Sequence, residues 1–259
     1  MDRLFRASRI FRTGLAFVTF GLGACVLTLL IVPIVRWRSR SRADTDLRVQ
    51  VVVHRSFGAF VRWMERLKLI VVEFEGEQPG GSEPVVVVAN HPTLIDVVLL
   101  VSRLPQADCV VKKGAWTNPF LRAMVSAAGY VPNDGGVDLI ETCVERIRGG
   151  RSLLLFPEGT RSPHGSLGPF RRGAVHVALR ADCPLQRVVI RCEPPVLSKE
   201  VAWWSVPDRT PVYRIETHPP KRLDRTDLSP SRTAREATQA MREWFLKQLS
   251  QERWSHVGS

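Results

Sequence analysis

The stretch VVVVANHPTLID, residues 85–96, decides how the rest of the chain is read. Four consecutive valines between turn signals read as a strand covered on both faces, the kind found inside parallel sheets. The strand delivers Asn90, His91 and Pro92, then recovers an acid at Asp96. A residue before proline is held extended, and proline is favoured at the first position of a helix, so a helix is expected immediately after His91, with Asp96 about one turn inside it. From there the carboxylate could reach back to one ring nitrogen, fix the tautomer and leave the other nitrogen free as a base. In open parallel sheets ligands gather beyond the carboxyl ends of the strands, where this pair falls. The plainer alternative is that Asp96 caps a helical turn and His91 is an ordinary surface residue.

Outward from this strand, extended runs alternate with helical patterns. Strands are expected at 85–90, near 108–112, at 152–156 and at 186–191. Helices are expected near 92–103, 117–128, 136–148 and 172–181. Such alternation implies βαβ units, hence an α/β fold with a mainly parallel central sheet covered by helices. Ser229 and Pro230 open a last helix whose Ala234, Ala237, Met241, Trp244, Phe245 and Leu249 make an apolar face. Upstream, residues 46–69 put Val53, Phe57, Phe60, Val61, Met64 and Leu67 on one helical stripe, which could pack on the core or lie against lipid headgroups. QPGGSEP, residues 78–84, is a turn-rich connector.

The chain has 259 residues, is 44% hydrophobic and 24% charged, and carries a formal net charge of +12. Nothing in that composition suggests disorder, and the charge points to an anionic partner. Half of the excess lies in residues 1–50, where nine arginines face three aspartates. Those arginines bracket Thr13–Val35, an apolar run without an ionisable side chain except Cys25 and long enough as a helix for a bilayer core of about 30 Å. An uncleaved N-terminal membrane anchor is expected, either a spanning helix or a helix hairpin in one leaflet. Arginines at both ends leave its orientation open. The five cysteines form no CxxC pair and no zinc-finger spacing, which argues against a disulfide framework and for a body facing a reducing cytoplasm. The expected division is residues 1–45 as anchor, 46–80 as amphipathic helix and connector, and 81–259 as the α/β domain.

A second apolar run breaks at a proline in LLLFPEGTRS, residues 153–162, bringing Glu158, Gly159, Thr160 and Arg161 to the same sheet edge as His91. Glycine admits close backbone approach, and arginine offers a fork for phosphate. NHPTLID and FPEGTRS, together with FRRG at 170–173 and the proline-led strand PLQRVVI, resemble the glycerolipid acyltransferase family typified by 1-acylglycerol-3-phosphate acyltransferases. The resemblance covers roughly residues 85–195. It implies that His91 is the catalytic base, Asp96 its orienting partner, and Glu158, Gly159, Thr160 and Arg161 the acceptor-binding residues, with Arg161 on a phosphate. It further implies an acyl thioester donor, acyl-ACP or acyl-CoA, a lysophospholipid or related lipid acceptor, and a site at the inner membrane facing the cytoplasm.

One block departs from the family pattern. GYVPNDGG, residues 129–136, has Asn133 and Asp134 where the family has an Asp followed by Arg. Lys112 or Lys113, at the end of the preceding strand, could supply that charge, or form a solvated pair. The departure admits a specialised acceptor such as an aryl polyene or lyso-ornithine lipid. Trp203 and Trp204 could line an acyl tunnel, sit at the membrane interface or belong to the core. Two other classes also remain: a membrane-bound thioesterase using the same dyad on water, without a GxSxG elbow, and a binding module for nucleic acid or acidic lipid. Arginines beside an apolar anchor fit anionic headgroups and need no nucleic acid. No cofactor and no metal are expected.

Overall fold

The computed structural model describes residues 3–80, 83–117, 119–133, 137–163, 166–224 and 229–251. A seven-stranded sheet forms the centre: β1 (Val71–Gly76), β2 (Val86–Ala89), β3 (Ala107–Lys112), β4 (Val131–Asn133), β5 (Ser152–Leu155), β6 (Leu185–Glu193) and β7 (Val212–Thr217). Their spatial order is β1-β7-β6-β2-β5-β3-β4. All neighbours run parallel except β6 and β7. The mainly parallel α/β architecture expected from the sequence is therefore present.

The valine run sits in the middle of this sheet, and each of residues 85–89 is at most 1% exposed. Because successive side chains point to opposite faces, Val85, Val87 and Ala89 enter one core while Val86 and Val88 enter the other. The first core is shared with α3 (Arg42–Arg66), α4 (Asp96–Val101) and α6 (Pro119–Ala127), the last of which follows the short α5 (Lys113–Thr117). The second is closed by α7 (Val137–Arg148), α8 (Gly173–Ala181) and α9 (Pro230–Ser250).

Three strands were not expected: β1, β4 and β7. The first and last show period-two alternation in VVEFEG and VYRIET, with Tyr213 and Ile215 fully buried. The antiparallel β6–β7 pair is also new. Residues 194–211 return the chain without a helix, whereas a crossover to a parallel strand usually runs through one.

At the N-terminus α1 (Arg3–Val26) continues through a π-helical turn (Leu27–Ile31) into α2 (Val32–Arg38). Pro33 lies just after the wide turn; it has no N–H to donate and its ring crowds the preceding turn, a known cause of such bulges. Residues Phe5–Arg38 are long and apolar enough to cross a membrane by length and composition. One side of this helix packs on the domain through Ala16, Leu27 and Val32. The other presents Phe11, Leu22, Leu29, Leu30 and Trp37 as exposed side chains.

The helix α3 starts in a capping box: Ser41 Oγ accepts from Asp44 N at 3.1 Å while Asp44 accepts from Arg40 N at 3.0 Å. Of the expected stripe, Val53, Phe57, Val61 and Met64 are buried, and Phe60 packs partly exposed against the same core. A polar lock adds to this. Gln50 donates to Asp108 Oδ1 at 2.8 Å and to Ala128 O at 2.9 Å, and Arg151 donates to the same carboxylate oxygen at 2.6 Å. Burial pushes the Asp108 carboxyl up, against the pull of Arg151 and Arg146. This lock lies at the amino ends of β3 and β5, on the sheet edge opposite the histidine.

Candidate active site

His91 leaves the carboxyl end of β2, but the helix does not start at Pro92. The first helical residue of α4 is Asp96, with Ile95 at its cap, and residues 91–95 form a turn. The reason is that Asp96 is recruited by the turn itself. Its Oδ2 accepts Thr93 N–H at 2.7 Å and its Oδ1 accepts the Thr93 hydroxyl at 2.5 Å. Backbone and hydroxyl donors three residues back satisfy the acid before it reaches the ring, as in a capping box.

The remaining contact is with the ring of His91. His91 Nδ1 lies 2.8 Å from Asp96 Oδ2, with the carboxylate fully buried and the imidazole side chain 16% exposed. The buried carboxylate thus meets three polar neighbours, the Thr93 amide, the Thr93 hydroxyl and the imidazole. In the neutral ring this contact favours the tautomer with the proton on Nδ1, which turns Nε2 into the acceptor. Phe156, at the end of β5, stacks against the imidazole with centroids 4.4 Å apart, fixing the ring plane. Beneath them, burial holds the Tyr213 phenol well above its usual range, and the Asp96 charge adds to the shift.

The loop after β5 is bonded to the loop after β2. Glu158, 6% exposed, accepts His91 N–H at 3.0 Å, the Ser162 hydroxyl at 2.8 and 2.6 Å, and Gly168 N–H at 3.0 Å. Ser162 N in turn donates to His91 O at 2.7 Å. The Glu158 carboxylate is thus committed inward. It fastens two strand ends together and sets the height of His91 between them.

Gly159 has φ +67°, a left-handed conformation that side chains rarely adopt, and its N–H closes a turn onto Phe156 O at 3.0 Å. Thr160 is exposed. Arg161 is half-buried, and its Nη1 donates to Leu197 O at 3.0 Å and Ser198 O at 3.1 Å. Lys112 ends β3 as an exposed side chain at the same edge of the sheet, two strands from His91. Of the GYVPNDGG block, Asp134, Gly135 and Gly136 lie outside the described residues.

Two contributors escaped the sequence reading. Asn90 is 3% exposed, donates to Ile190 O at 2.8 Å and accepts Ile190 N–H at 2.7 Å, so its side chain stands in for a strand neighbour where β2 ends. The segment 194–210 closes another side: Leu197 O accepts Leu94 N–H at 3.0 Å as well as Arg161. This segment carries Trp203 and Trp204, which are 43% and 55% exposed and therefore outside the core. Trp203 meets Phe17 of α1 edge-on at 5.7 Å. A spacing of Thr three residues before Asp signalled the Thr93 contact; no local signal marks Asn90 or Leu197.

An apolar cavity of about 320 Å³ lies between α1 and α3, lined by Phe20, Ala24, Leu27, Phe57, Phe60 and Met124 among others. Among the described residues no group of His, Cys, Asp and Glu side chains could hold a metal ion.

Residues 71–191 match the family model described as Acyltransferase. The match takes in the strands and loops that carry His91, Asp96 and Glu158 and covers just under half of the chain. The chain is 32% identical over 117 residues to the chloroplast 1-acyl-sn-glycerol-3-phosphate acyltransferase BAT2 of Brassica napus, covering 43% of this chain and 34% of that protein. It is 35% identical over 107 residues to the chloroplast enzyme LPAT1 of Arabidopsis thaliana, covering 39% and 30%, and 30% identical over 151 residues to the Saccharomyces cerevisiae enzyme, covering 54% and 48%. The chain thus spans about a third of the length of the two plant relatives. The crystal structure of the 1-acyl-sn-glycerophosphate acyltransferase PlsC of Thermotoga maritima superposes with a TM-score of 0.67 at 21% identity, over 95% of this chain and 99% of that one. The chain therefore shares that fold over nearly its whole length.

Proposed function

We propose that the protein moves a fatty acyl group from an acyl thioester, acyl-ACP or acyl-CoA, to the hydroxyl of a lysophospholipid of the 1-acylglycerol-3-phosphate type. The observation that carries this reading is the 2.8 Å contact between His91 Nδ1 and the fully buried Asp96 carboxylate, which aims an acceptor nitrogen out of the sheet edge. In the reaction Nε2 takes the proton of the acceptor hydroxyl as its oxygen bonds to the thioester carbonyl carbon. The C–S bond then breaks, and the imidazolium returns the proton to the departing thiolate. Proton transfer of this kind supplies about 10²- to 10⁴-fold. Positioning two substrates in line must supply much of the rest.

Glu158 holds the base in place, while Gly159, Thr160 and Arg161 border the acceptor. Arg161 keeps donors beyond Nη1 for an anion, and Lys112 adds positive charge along the edge. The apolar cavity between α1 and α3 suits an acyl chain. Membrane binding is supported by the exposed apolar side of α1 and α2, continuous through the Phe17–Trp203 contact with Trp203 and Trp204. On this reading the site faces the cytoplasm at the inner membrane.

The test offers purified protein a panel of lysolipids with both donor types and identifies the products by mass spectrometry. Phosphatidic acid from lysophosphatidic acid is the expected product. Free fatty acid without lysolipid would make it a thioesterase, and selective acylation of an ornithine or aryl polyene lipid would move the acceptor. His91→Ala should abolish transfer while leaving the protein folded and vesicle-bound; wild-type turnover in that variant removes the base from the mechanism.

A further inference from the structure

Resting on the reading above and deepening it, we propose that Arg171 is a second cation for the acceptor's phosphate, beside Arg161, whose Nη1 also braces the 194–210 segment. The proposal starts from where each guanidinium is spent. Arg161 gives Nη1 to two main-chain carbonyls, Leu197 O and Ser198 O, so part of its fork is used to hold the 194–210 segment against the site. Arg171 has no such commitment. Its side chain is exposed, and among the described residues it forms no ion pair and no side-chain hydrogen bond.

Its position is nevertheless fixed. The Arg171 backbone N–H donates to Pro157 O at 2.8 Å, tying the residue to the loop that carries Glu158. The side chain then lies across Gly159: a Cβ at that glycine would sit 3.1 Å from Nε, 3.6 Å from Cδ and 3.7 Å from Cζ. Glycine is favoured there by φ +67°, and a Cβ would press the guanidinium back by a few tenths of an ångström. Next along the chain is Glu158, whose carboxylate holds His91 N–H at 3.0 Å.

An unpaired guanidinium over the loop that positions the base is suited to a particular ligand. A glycerol 3-phosphate carries its phosphate and its 2-hydroxyl on neighbouring carbons, so the cation that binds one must share a loop cluster with the base that deprotonates the other. Arg171 satisfies that condition and offers the planar fork that phosphate oxygens accept in pairs. Arg172 is also exposed, and its carbonyl accepts His176 N–H at 3.0 Å at the start of α8.

The experiment compares wild type, Arg171→Ala, Arg171→Lys and Arg172→Ala in the same vesicles, with lysophosphatidic acid as acceptor and palmitoyl-CoA or palmitoyl-ACP as donor. Arg171→Ala should raise the acceptor KM by about 10- to 100-fold, the worth of one charge-assisted contact, with kcat and donor KM within twofold. Arg171→Lys should recover part of the loss, and Arg172→Ala should match wild type. An unchanged acceptor KM, an equal loss in Arg172→Ala, or a rise in donor KM instead would overturn the assignment. Because the residue is exposed, each variant should keep the wild-type melting temperature. Wild-type protein that does not acylate lysophosphatidic acid would refute the underlying reading; turnover by wild type with an indifferent Arg171→Ala refutes only this inference.

Discussion

The most exacting prediction concerns Glu158→Gln, because it separates a residue that binds substrate from one that holds the base. The wild-type carboxylate takes backbone N–H groups from His91 and Gly168, one on each oxygen, and the Ser162 hydroxyl between them. An amide keeps one oxygen. Its NH2 must then face either His91 N–H or Gly168 N–H, two donors opposed in a site only 6% exposed. One orphaned buried donor costs about 1–3 kcal/mol, and the surviving bonds fall from charge-assisted to neutral strength, roughly half. The expected sum is about 2–4 kcal/mol of stability. At roughly 2–4 °C per kcal/mol for a chain of this size, the melting temperature should drop by about 4–16 °C. Catalysis should suffer with it, because the released N–H belongs to His91 itself, and a shift of the base by an ångström costs on the order of 10²-fold. The assay is thermal unfolding by intrinsic fluorescence, beside initial rates over a range of acceptor and donor concentrations. The reasoning requires a lower kcat with the acceptor KM little changed. A variant with the wild-type melting temperature and a raised acceptor KM would show that the carboxylate binds substrate and that its inward bonds are incidental.

Three other outcomes follow from the same bonding. Thr93→Val keeps the shape but removes the hydroxyl at 2.5 Å from Asp96 Oδ1, and should lower kcat about 10-fold and stability by about 1–2 kcal/mol; unaltered kcat would mean that the carboxylate needs no such support. Gly129→Ala should lower the melting temperature by several degrees, since that glycine has φ +64° and its missing Cβ would run into the Asp46 carboxylate; an unchanged melting temperature would deny the close packing of α3. Burial pushes the Cys109, Cys143 and Cys192 thiols up to about 12 and Cys183 up to about 11, from an ordinary 9.0. At pH 8 these four should resist alkylation in the native protein and react on unfolding. Because each folded value is raised, the stability they contribute is complete below about pH 9 and falls as pH rises, by about 1.4 kcal/mol per pH unit per thiol; urea titrations showing no loss between pH 9 and 10.5 would contradict this.

What the sequence made legible followed from strong local signals. The valine run, the break at His91 and the recovery of Asp96 foretold a buried strand ending in a histidine beside an acid, because strand hydrophobicity and proline geometry act within a few residues. The start of α4 was misplaced for an equally local reason: the Thr93 hydroxyl and amide compete for Asp96 and stop the helix from beginning at Pro92. β1 and β7 carried readable alternation that was passed over. The pairing of β1 with β7 depends on contacts between residues more than a hundred positions apart, such as Val71 with Val212, and the reversal of β7 against β6 on a helix-free return that no local pattern announces. The inward turn of Glu158 and the capture of Arg161 by Leu197 are likewise products of the third dimension. A motif says which side chains gather, but not which of them the main chain uses for its own hydrogen bonds.

That distinction explains how one edge of a sheet can be held rigid and joined to the exposed apolar N-terminal helix at once. Leu197 holds a left-handed backbone, φ +52°, that a leucine adopts only at a cost. There its carbonyl accepts from Leu94, in the turn that carries the dyad, and from Arg161, in the loop that carries Glu158. Six residues later the same segment reaches Trp203, which packs on Phe17 of the apolar N-terminal helix. The histidine's turn, the arginine's loop and the exposed tryptophans therefore share one carbonyl as a joint. The tryptophan segment thereby ties the N-terminal helix to both loops together. A loop anchored only by its own turn would lack this tie. The strain at Leu197 is what that connection costs.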